Sequence, residues 1–326
     1  MKKLFAIMLA LMLVLTMGSA LAEGGPIKIM SITKSVSGSG AASYPGETLT
    51  LTSRCVEVTD AATGVTFENA PNLTLGSLTL KAGETTGSFS IAFPDYTSVG
   101  IYTYEIKETA GTVAGVTYDP DTIKLVVTVI NGSEEGTFEV QQAVAYSADN
   151  QKLTEVSFTN EYATNNLTVK KTVAGTLGDH DKEFNFTVKL TGDAGKTYNA
   201  DGYEVTIAGL PADTKIKVDD STAYSFRLSH GETFEIKNLP VGVKYTVEEA
   251  DYSDDGYETT IAGEETRTAT GTISSEASSS VEVTNTRDAA IDTGITTDNL
   301  PYIVLMGIVV LAGVAMIAKR RMAHND

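Results

Sequence analysis

The sequence predicts an all-β protein made of two tandem domains. Its apolar runs are short, alternate with polar residues, are rich in Val and Thr, and are separated by glycines. Helical periodicity is confined to the two ends of the 326-residue chain. The order of elements in the first half recurs in the second half, at a spacing too long for a solenoid unit. We therefore expect domains over residues 23–163 and 164–287.

The N-terminal end has the three regions of a secretory signal peptide. Met1-Lys2-Lys3 is basic, residues 4–17 are apolar, and Ala20-Leu21-Ala22 supplies small residues at a cleavage point. We expect residues 1–22 to be removed on export.

The C-terminal end is predicted to enter the membrane. Residues 300–318 carry no charge and are numerous enough to span a bilayer, and Lys319-Arg320-Arg321 behind them should stay cytoplasmic. On these features alone the segment predicts a simple membrane tether.

Composition excludes several classes of function. The net charge of −18 argues against binding nucleic acid or anionic lipid and suits a solvated extracellular surface. The three histidines, His180, His230 and His324, are scattered and accompany no cluster at metal-ligand spacing. No phosphate loop or nucleophile elbow is found. We expect no metal and no cofactor.

Cys55 is the single cysteine, so no intrachain disulfide can form. It falls inside a strand-like run, which predicts a buried, inert thiol, with a reactive thiol as the alternative. Covalent reinforcement of an exported protein would then need other chemistry.

In the first half, alternation of apolar and polar residues defines each strand, and glycines break the shorter ones. Asn131-Gly132 is a hairpin signal between two of the strands. The predicted strands are Met30–Val36, Glu47–Val58, short strands within Leu73–Phe93, Gly100–Glu108, Ile123–Ile130, Phe138–Tyr146 and Val156–Asn160.

The second half follows the same plan after a tight linker at residues 162–166, from which we expect a stiff connection. A turn is predicted at His230-Gly231. The predicted strands are Leu167–Val173, Phe184–Val188, Tyr224–Leu228, Phe234–Ile236, Tyr245–Glu249 and Val281–Asn285.

Each half places three polar residues at positions that should face its core. A lysine lies on the first strand, a glutamate on a middle strand and an asparagine on the last strand, each in register with apolar neighbours. A shift of one residue would reverse a face, but the recurrence in both halves argues against coincidence. The two sets are Lys34, Glu108, Asn160 and Lys171, Glu249, Asn285.

These residue types together can form a spontaneous amide bond between lysine and asparagine. Burial among apolar side chains favours the neutral amine, which is the nucleophilic form. The same burial favours a protonated carboxyl, which can polarise the asparagine carbonyl and move protons as ammonia leaves. The first and last strands would have to lie side by side. The alternative is a buried salt bridge capped by asparagine, which uses the same residues.

Six short motifs lie along the chain, three in each half. They are Tyr-x-Tyr-x-Ile-x-Glu-Thr at 102–109, Gly115-Val-Thr-Tyr-Asp119, Phe158-Thr-Asn-Glu-Tyr162, Phe184-Asn-Phe-Thr-Val188, Leu239-Pro-Val-Gly242 and Val283-Thr-Asn285.

With these motifs the chain resembles the isopeptide-linked backbone pilins of Gram-positive bacteria, particularly the two-domain streptococcal type. The resemblance covers nearly the whole chain. It implies two tandem immunoglobulin-like β-sandwich domains with self-made Lys-Asn bonds, polymerised by sortase into a cell-wall-anchored pilus. Glu108 and Glu249 would be the catalytic carboxyls.

Residues 288–326 resemble a sortase sorting signal, because the pentapeptide Ala290-Ile-Asp-Thr-Gly294 precedes the apolar span and the basic tail. The resemblance implies cleavage between Thr293 and Gly294 and transfer of Thr293 to an amine. The pentapeptide differs from Leu-Pro-x-Thr-Gly at its first two places, which leaves room for a dedicated sortase.

The sequence does not identify a single lysine that would accept Thr293. The only Tyr-Pro is Tyr44-Pro45, so a Tyr-Pro-Lys-Asn pilin motif is absent. The two-domain type uses a lysine shortly before the last strand of its first domain, and Lys152 is the nearest match. The alternative is a solvated lysine in a polar loop.

The sequence leads to two candidate functions, one of a structural protein and one of a binding protein. The first is a structural shaft subunit, whose partners are sortase, identical subunits, peptidoglycan, and minor pilins or host surface ligands. The second is a wall-anchored adhesin or minor pilin that is not polymerised. A surface enzyme has no site to recommend it beyond the self-processing carboxylates.

Overall fold

In the computed structural model, residues 28–207 and 214–289 are described, together with 304–306 and 309. The predicted signal peptide, the sorting pentapeptide and nearly all of the predicted span 300–318 lie outside the described residues. Within the described part of the chain, no helix has the length and apolar character that crossing a membrane requires.

The first half folds into two β-sheets and a small ribbon. Its strands are β1 Ser31–Ser37, β2 Glu47–Leu49, β3 Leu51–Thr59, β4 Thr74–Leu75, β5 Leu78–Leu80, β6 Thr86–Ala92, β7 Gly100–Glu108, β8 Val116–Thr117, β9 Thr122–Asn131, β10 Phe138–Tyr146 and β11 Ser157–Tyr162, with a 3-10 helix at Ala41–Ser43.

The sheet orders place the first and last strands of this half together. One sheet has the order β4-β6-β1-β11-β8, the other β10-β9-β7-β3, and β2 pairs with β5. Strands β1 and β11 run parallel. A parallel pair needs a long crossover, and here nearly the whole half forms it.

The second half has the same arrangement. Its strands are β12 Thr164–Ala174, β13 Phe184–Thr191, β14 Tyr203–Ile207, β15 Lys215–Ile216, β16 Tyr224–Leu228, β17 Thr233–Pro240, β18 Lys244–Glu249, β19 Glu258–Ile261, β20 Thr268–Thr272 and β21 Ser279–Thr286, with a 3-10 helix at Ser253–Asp255. The sheets have the orders β15-β14-β17-β12-β21-β19 and β16-β13-β18-β20, and β12 runs parallel to β21.

Each pair of sheets encloses its own hydrophobic core, as the alternation in the sequence predicts. One core draws on residues between Ile32 and Tyr162, and the other on residues between Leu167 and Val283. Met30, predicted to face the core, is 57% exposed because β1 begins after it, at Ser31.

One local prediction differs from the structure. The strand predicted over Glu47–Val58 is divided at Thr50 into β2 and β3, which join different partners. The hairpin predicted between β9 and β10 is present, with Asn131 paired with Phe138 and a six-residue connection.

A single residue, Ala163, separates β11 from β12, so the connection is shorter than the linker predicted at residues 162–166. The Ala163 N–H donates to Gly115 O at 2.9 Å, and Val241 N donates to Ala163 O at 3.0 Å. Nearby, Thr197 N donates to Thr112 O at 2.8 Å, and Ala114 N to Thr197 O at 2.9 Å. The junction is therefore bonded on both sides.

The second core can be tested at Phe234, which is fully buried and stacks on Phe226 with ring centroids 3.8 Å apart. Removing the ring leaves a cavity, so Phe234→Ala should lower the free energy of unfolding by about 3 to 5 kcal/mol. Chemical denaturation measures this. The control is Phe67→Ala, whose ring is 48% exposed and should change stability by about 0.5 kcal/mol or less. Equal losses would contradict the described packing.

Candidate functional site

The first candidate site, site 1, is assembled from both sheets of the first sandwich. On the parallel strands, Lys34 stands opposite Phe158, which puts Asn160 two residues further along on the same face. Glu108 ends β7 in the facing sheet. The three predicted residues are therefore brought together inside the core.

Glu108 contacts both nitrogen atoms of site 1. Lys34 Nζ donates to Glu108 Oε2 at 2.8 Å, and Asn160 Nδ2 donates to Glu108 Oε1 at 3.1 Å. The side chains of Lys34 and Glu108 are completely buried, as is Asn160. The carboxyl thus bridges the amine and the carboxamide nitrogen.

A residue outside the predicted triad, Asp119, contacts the remaining polar atom of Asn160. The Asp119 backbone N–H donates to Asn160 Oδ1 at 2.9 Å. All polar atoms of the Asn160 carboxamide are therefore engaged.

A further carboxylate lies close to site 1. The Tyr44 hydroxyl donates to Glu47 Oε1, and the Tyr118 hydroxyl donates to Glu47 Oε2 at 2.8 Å. Burial raises the pKa of both tyrosine hydroxyls, and the hydrogen bond to Glu47 is the second-largest cause of the rise. The negative charges of Glu47 and Asp119 favour the protonated form of Lys34.

Site 2 occupies the matching place in the second sandwich. Lys171 stands opposite Val283 on parallel strands, and Asn285 follows two residues later, the same offset as at site 1. Glu249 ends β18 in the facing sheet. All three residues are completely buried.

The hydrogen bonds at site 2 differ from those at site 1. Lys171 Nζ donates to Glu249 Oε1 at 2.7 Å, but Glu249 Oε2 accepts from Thr259 Oγ1 at 2.9 Å. Within the described residues, Asn285 Nδ2 and Oδ1 have no hydrogen-bond partner. Glutamate thus contacts asparagine at site 1, through the carboxamide nitrogen rather than the carbonyl oxygen that the sequence predicts it to polarise, and does not contact it at site 2.

Burial acts on both lysines as the sequence predicts. Desolvation lowers the pKa of Lys34, although Glu108 opposes it. Desolvation lowers the pKa of Lys171 to about 8, against the opposing effect of Glu249. Lys171 Nζ also lies 4.2 Å from the Phe184 ring centroid, a contact that favours the cation. The loss of water outweighs these attractions, so the neutral amine is accessible.

Lys152 lies outside both sites, in the connection from β10 to β11. Its side chain is exposed, and its backbone forms an isolated bridge with Tyr146. Lys124 Nζ supports the adjoining turn by donating to Ala148 O at 3.0 Å and Asn150 Oδ1 at 2.9 Å. Thr293 and Gly294 lie outside the described residues.

Cys55 is 3% exposed, and burial raises the pKa of its thiol. A buried, inert thiol was the first of its two predicted roles, and the structure favours it.

Sequence reasoning missed three features around the sites. Asp119 is predicted only as part of a motif, and no strand is predicted at Glu258–Ile261, whose burial does not alternate although Thr259 pairs with Asn285. His180 and His230, far apart in sequence, stack with ring centroids 3.9 Å apart. Hydrogen bonds formed by loops and short edge strands carry little periodic signal.

Two family descriptions match adjoining parts of the chain. Residues 48–163 match "Spy0128-like isopeptide containing domain", and residues 165–287 match "Domain of unknown function (DUF7601)".

Similar proteins are found among streptococcal pilus components. A pilin of Streptococcus pyogenes serotype M1 is 31% identical over 261 residues, covering 74% of each chain. The pilus tip adhesin Cpa of Streptococcus pyogenes is 34% identical over 136 residues, which are 41% of this chain and 18% of the adhesin. The crystal structure of the major pilin from Streptococcus pyogenes is 25% identical with a TM-score of 0.54, covering 80% of this chain and 98% of that one. The immunoglobulin-like all-β fold and the extent of the pilin match together show that this chain belongs to the pilin family of Gram-positive bacteria.

Proposed function

We propose that the chain is the structural shaft subunit of a covalent cell-surface pilus. Self-formed amide bonds Lys34–Asn160 and Lys171–Asn285 reinforce it, and sortase polymerises it through Thr293. The observation that carries this proposal is the same buried lysine, glutamate and asparagine set, in the same register, in both sandwiches of a pilin. The sandwiches correspond to domains 23–163 and 164–287, between a cleaved signal peptide and the sorting signal 288–326.

The chemistry of each bond balances without a cofactor. Glutamate takes one proton from the lysine ammonium, and the neutral amine attacks the asparagine Cγ. The attacking nitrogen then gives up a second proton, and Nδ2 leaves as ammonia with the electron pair of its C–N bond and one added proton. Glutamate relays that proton and ends protonated. At site 1, Glu108 already contacts both nitrogen atoms, which suits this relay.

A buried ion pair without cross-linking is the competing role for the same residues. Such pairs are weak evidence for stability, since desolvation offsets much of their attraction. Asn285 adds to the argument, because a buried carboxamide without partners is costly. When the bond forms, Nδ2 departs and the lysine nitrogen, already hydrogen-bonded to Glu249, takes its place.

The bonds would suit a fibre under tension. Each closes a loop of more than about 100 residues, worth roughly 4 to 5 kcal/mol in the chain-entropy treatment used for disulfides. Because they join adjacent first and last strands, pulling force would pass through the amide bond, and the strands between would not be extended.

Assembly would join Thr293 of one subunit to a lysine of the next. Sortase would cleave between Thr293 and Gly294, and the exposed Lys152 is the proposed acceptor. The last sortase transfer would anchor the polymer to peptidoglycan.

A second candidate function is a wall-anchored adhesin or minor pilin that is not polymerised. The match to a pilus tip adhesin over 136 residues favours this candidate.

Intact mass tests the amide bonds. Purified residues 23–293 should weigh less than the sequence mass by two ammonia molecules, because each bond releases one. Glu108→Gln and Glu249→Gln should each restore one ammonia. The nearby variants Glu105→Gln and Glu248→Gln, which leave the contacts of Lys34 and Lys171 unchanged, should keep the full deficit. A wild-type chain at full mass would refute both bonds.

The proton affinity of Lys171 gives a pH test in an unlinked chain, Asn285→Ala. The folded pKa of Lys171 is about 8, below the unfolded value of about 10.4. Between these pH values only the unfolded state binds the proton, so stability should rise with pH, by up to about 1.4 kcal/mol per unit. The free energy of unfolding of Asn285→Ala minus that of the double variant Lys171→Met/Asn285→Ala, measured by denaturation at each pH, isolates this effect. A difference that does not change from pH 8 to 10 would contradict it.

Cell-wall extracts test polymerisation. Wild-type cells should yield a ladder of detergent-resistant species, and Lys152→Ala should abolish it because the acceptor amine is lost. Lys81→Ala, another exposed lysine of the first sandwich, should leave the ladder intact. A ladder that survives Lys152→Ala would assign the linkage to another lysine. A single band in the wild type would favour the second candidate function.

A further inference from the structure

The two nitrogen atoms and the one oxygen atom that react at site 1 have different partners. Glu108 contacts Lys34 Nζ and Asn160 Nδ2, whereas the Asn160 oxygen accepts from the Asp119 backbone N–H at 2.9 Å. We propose that the Asp119 N–H is an oxyanion donor for amide-bond formation at site 1, held in place by the Asp119 carboxylate. This inference rests on the proposed cross-linking function.

The orientation of the Asn160 carboxamide follows from its neighbours. A backbone N–H can only donate, so the atom facing Asp119 N must be the oxygen. The nitrogen is then directed at Glu108 Oε1, which accepts from it. In the reverse orientation, Asn160 Nδ2 would face the Asp119 N–H, so two donors would oppose each other. The hydrogen bonds of Asn160 to Asp119 and to Glu108 would both be lost.

The attack of Lys34 on Asn160 needs a donor at this oxygen. As the N–C bond forms, the π electrons of the carbonyl move to Oδ1, which becomes negative until ammonia leaves. Glu108 lies on the nitrogen side and relays the proton from the attacking to the leaving nitrogen. A fixed N–H at 2.7 to about 3.1 Å from the developing oxyanion lowers the barrier in a buried site. Asp119 supplies that group.

The Asp119 side chain fixes the loop against β11. Strand β8 pairs with β11 through Thr117 opposite Glu161, and continuing this register places Asp119 opposite Thr159. There, Thr159 N donates to Asp119 Oδ2 at 2.6 Å, and Asp121 N donates to Asp119 Oδ1 at 2.9 Å. The carboxylate thus accepts the hydrogen bond from Thr159 N that a backbone carbonyl would accept in a regular strand pair. The Asp119 N–H is therefore available to donate to Asn160 Oδ1.

Site 2 has no counterpart to this donor among the described residues. Asn285 Oδ1 accepts no hydrogen bond, and Thr259 binds the glutamate rather than the carboxamide. Site 2 therefore serves as a reference within the same molecule, since changes at Asp119 should not alter its rate.

The test compares Asp119→Ala, which loses the carboxylate but keeps the N–H, with Asp119→Pro, which loses both. Residues 23–293 are made by cell-free synthesis, and digestion with mass spectrometry follows the Lys34–Asn160 and Lys171–Asn285 linked peptides over time. Site 1 should form roughly 100-fold more slowly in Asp119→Pro than in the wild type, and Asp119→Ala should fall between them because its N–H is no longer held by the carboxylate. Site 2 should keep its wild-type rate in both variants. A site 1 rate in Asp119→Pro equal to that of the wild type would overturn the inference.

A measurement independent of the proline variant observes the hydrogen bond directly. In the unlinked variant Lys34→Met, NMR should detect a scalar coupling across the hydrogen bond between the Asp119 amide nitrogen and Asn160 Cγ. Absence of the coupling in the folded variant would also overturn the inference. Failure of the wild type to release ammonia at either site would refute the proposed cross-linking instead, so the two failures are distinguishable.

Discussion

Parallel pairing between the first and last strands of each sandwich is the constraint on which the rest of the structure depends. It makes each sandwich one long crossover and sets Lys34 near Asn160 and Lys171 near Asn285. A slip of one residue would turn a lysine out of the core and separate it from its glutamate. Apolar alternation on both strands therefore fixes the register of the polar residues too.

The facing sheet completes the arrangement by inserting a carboxyl at the end of a middle strand. Burial removes water from all three groups, which makes the ion pair less favourable and the neutral amine accessible. The asparagine makes different hydrogen bonds in the two sandwiches. Asn160 is hydrogen-bonded through both its nitrogen and its oxygen, whereas the Asn285 carboxamide has no hydrogen-bond partner within the described part of the chain. Equivalent residues in equivalent strands thus need not be equally prepared for reaction.

Much of this could be predicted from the sequence because alternation in a strand reports which side chains face the core. Strands β7, β10 and β16 have the predicted bounds, and all six residues of the two constellations face inward. Alternation says nothing about hydrogen bonds made by loops, so the role of Asp119 and the pairing of Thr259 with Glu249 were not foreseen. Alternation also did not show that Met30 lies just outside β1. It did not show the break at Thr50 either, where the residues on the two sides join different sheets.

The one-residue spacing at Ala163 bears on how the proposed fibre would tolerate proteases. With both amide bonds formed, a cut in any loop between residues 34 and 160, or between 171 and 285, leaves a second covalent route around it. Between the two bonds, only residues 161–170 lack such a bypass. They lie in β11, Ala163 and β12, where backbone pairing denies a protease the unpaired chain it needs. A single cut in a loop closed by either bond would therefore leave the subunit covalently continuous.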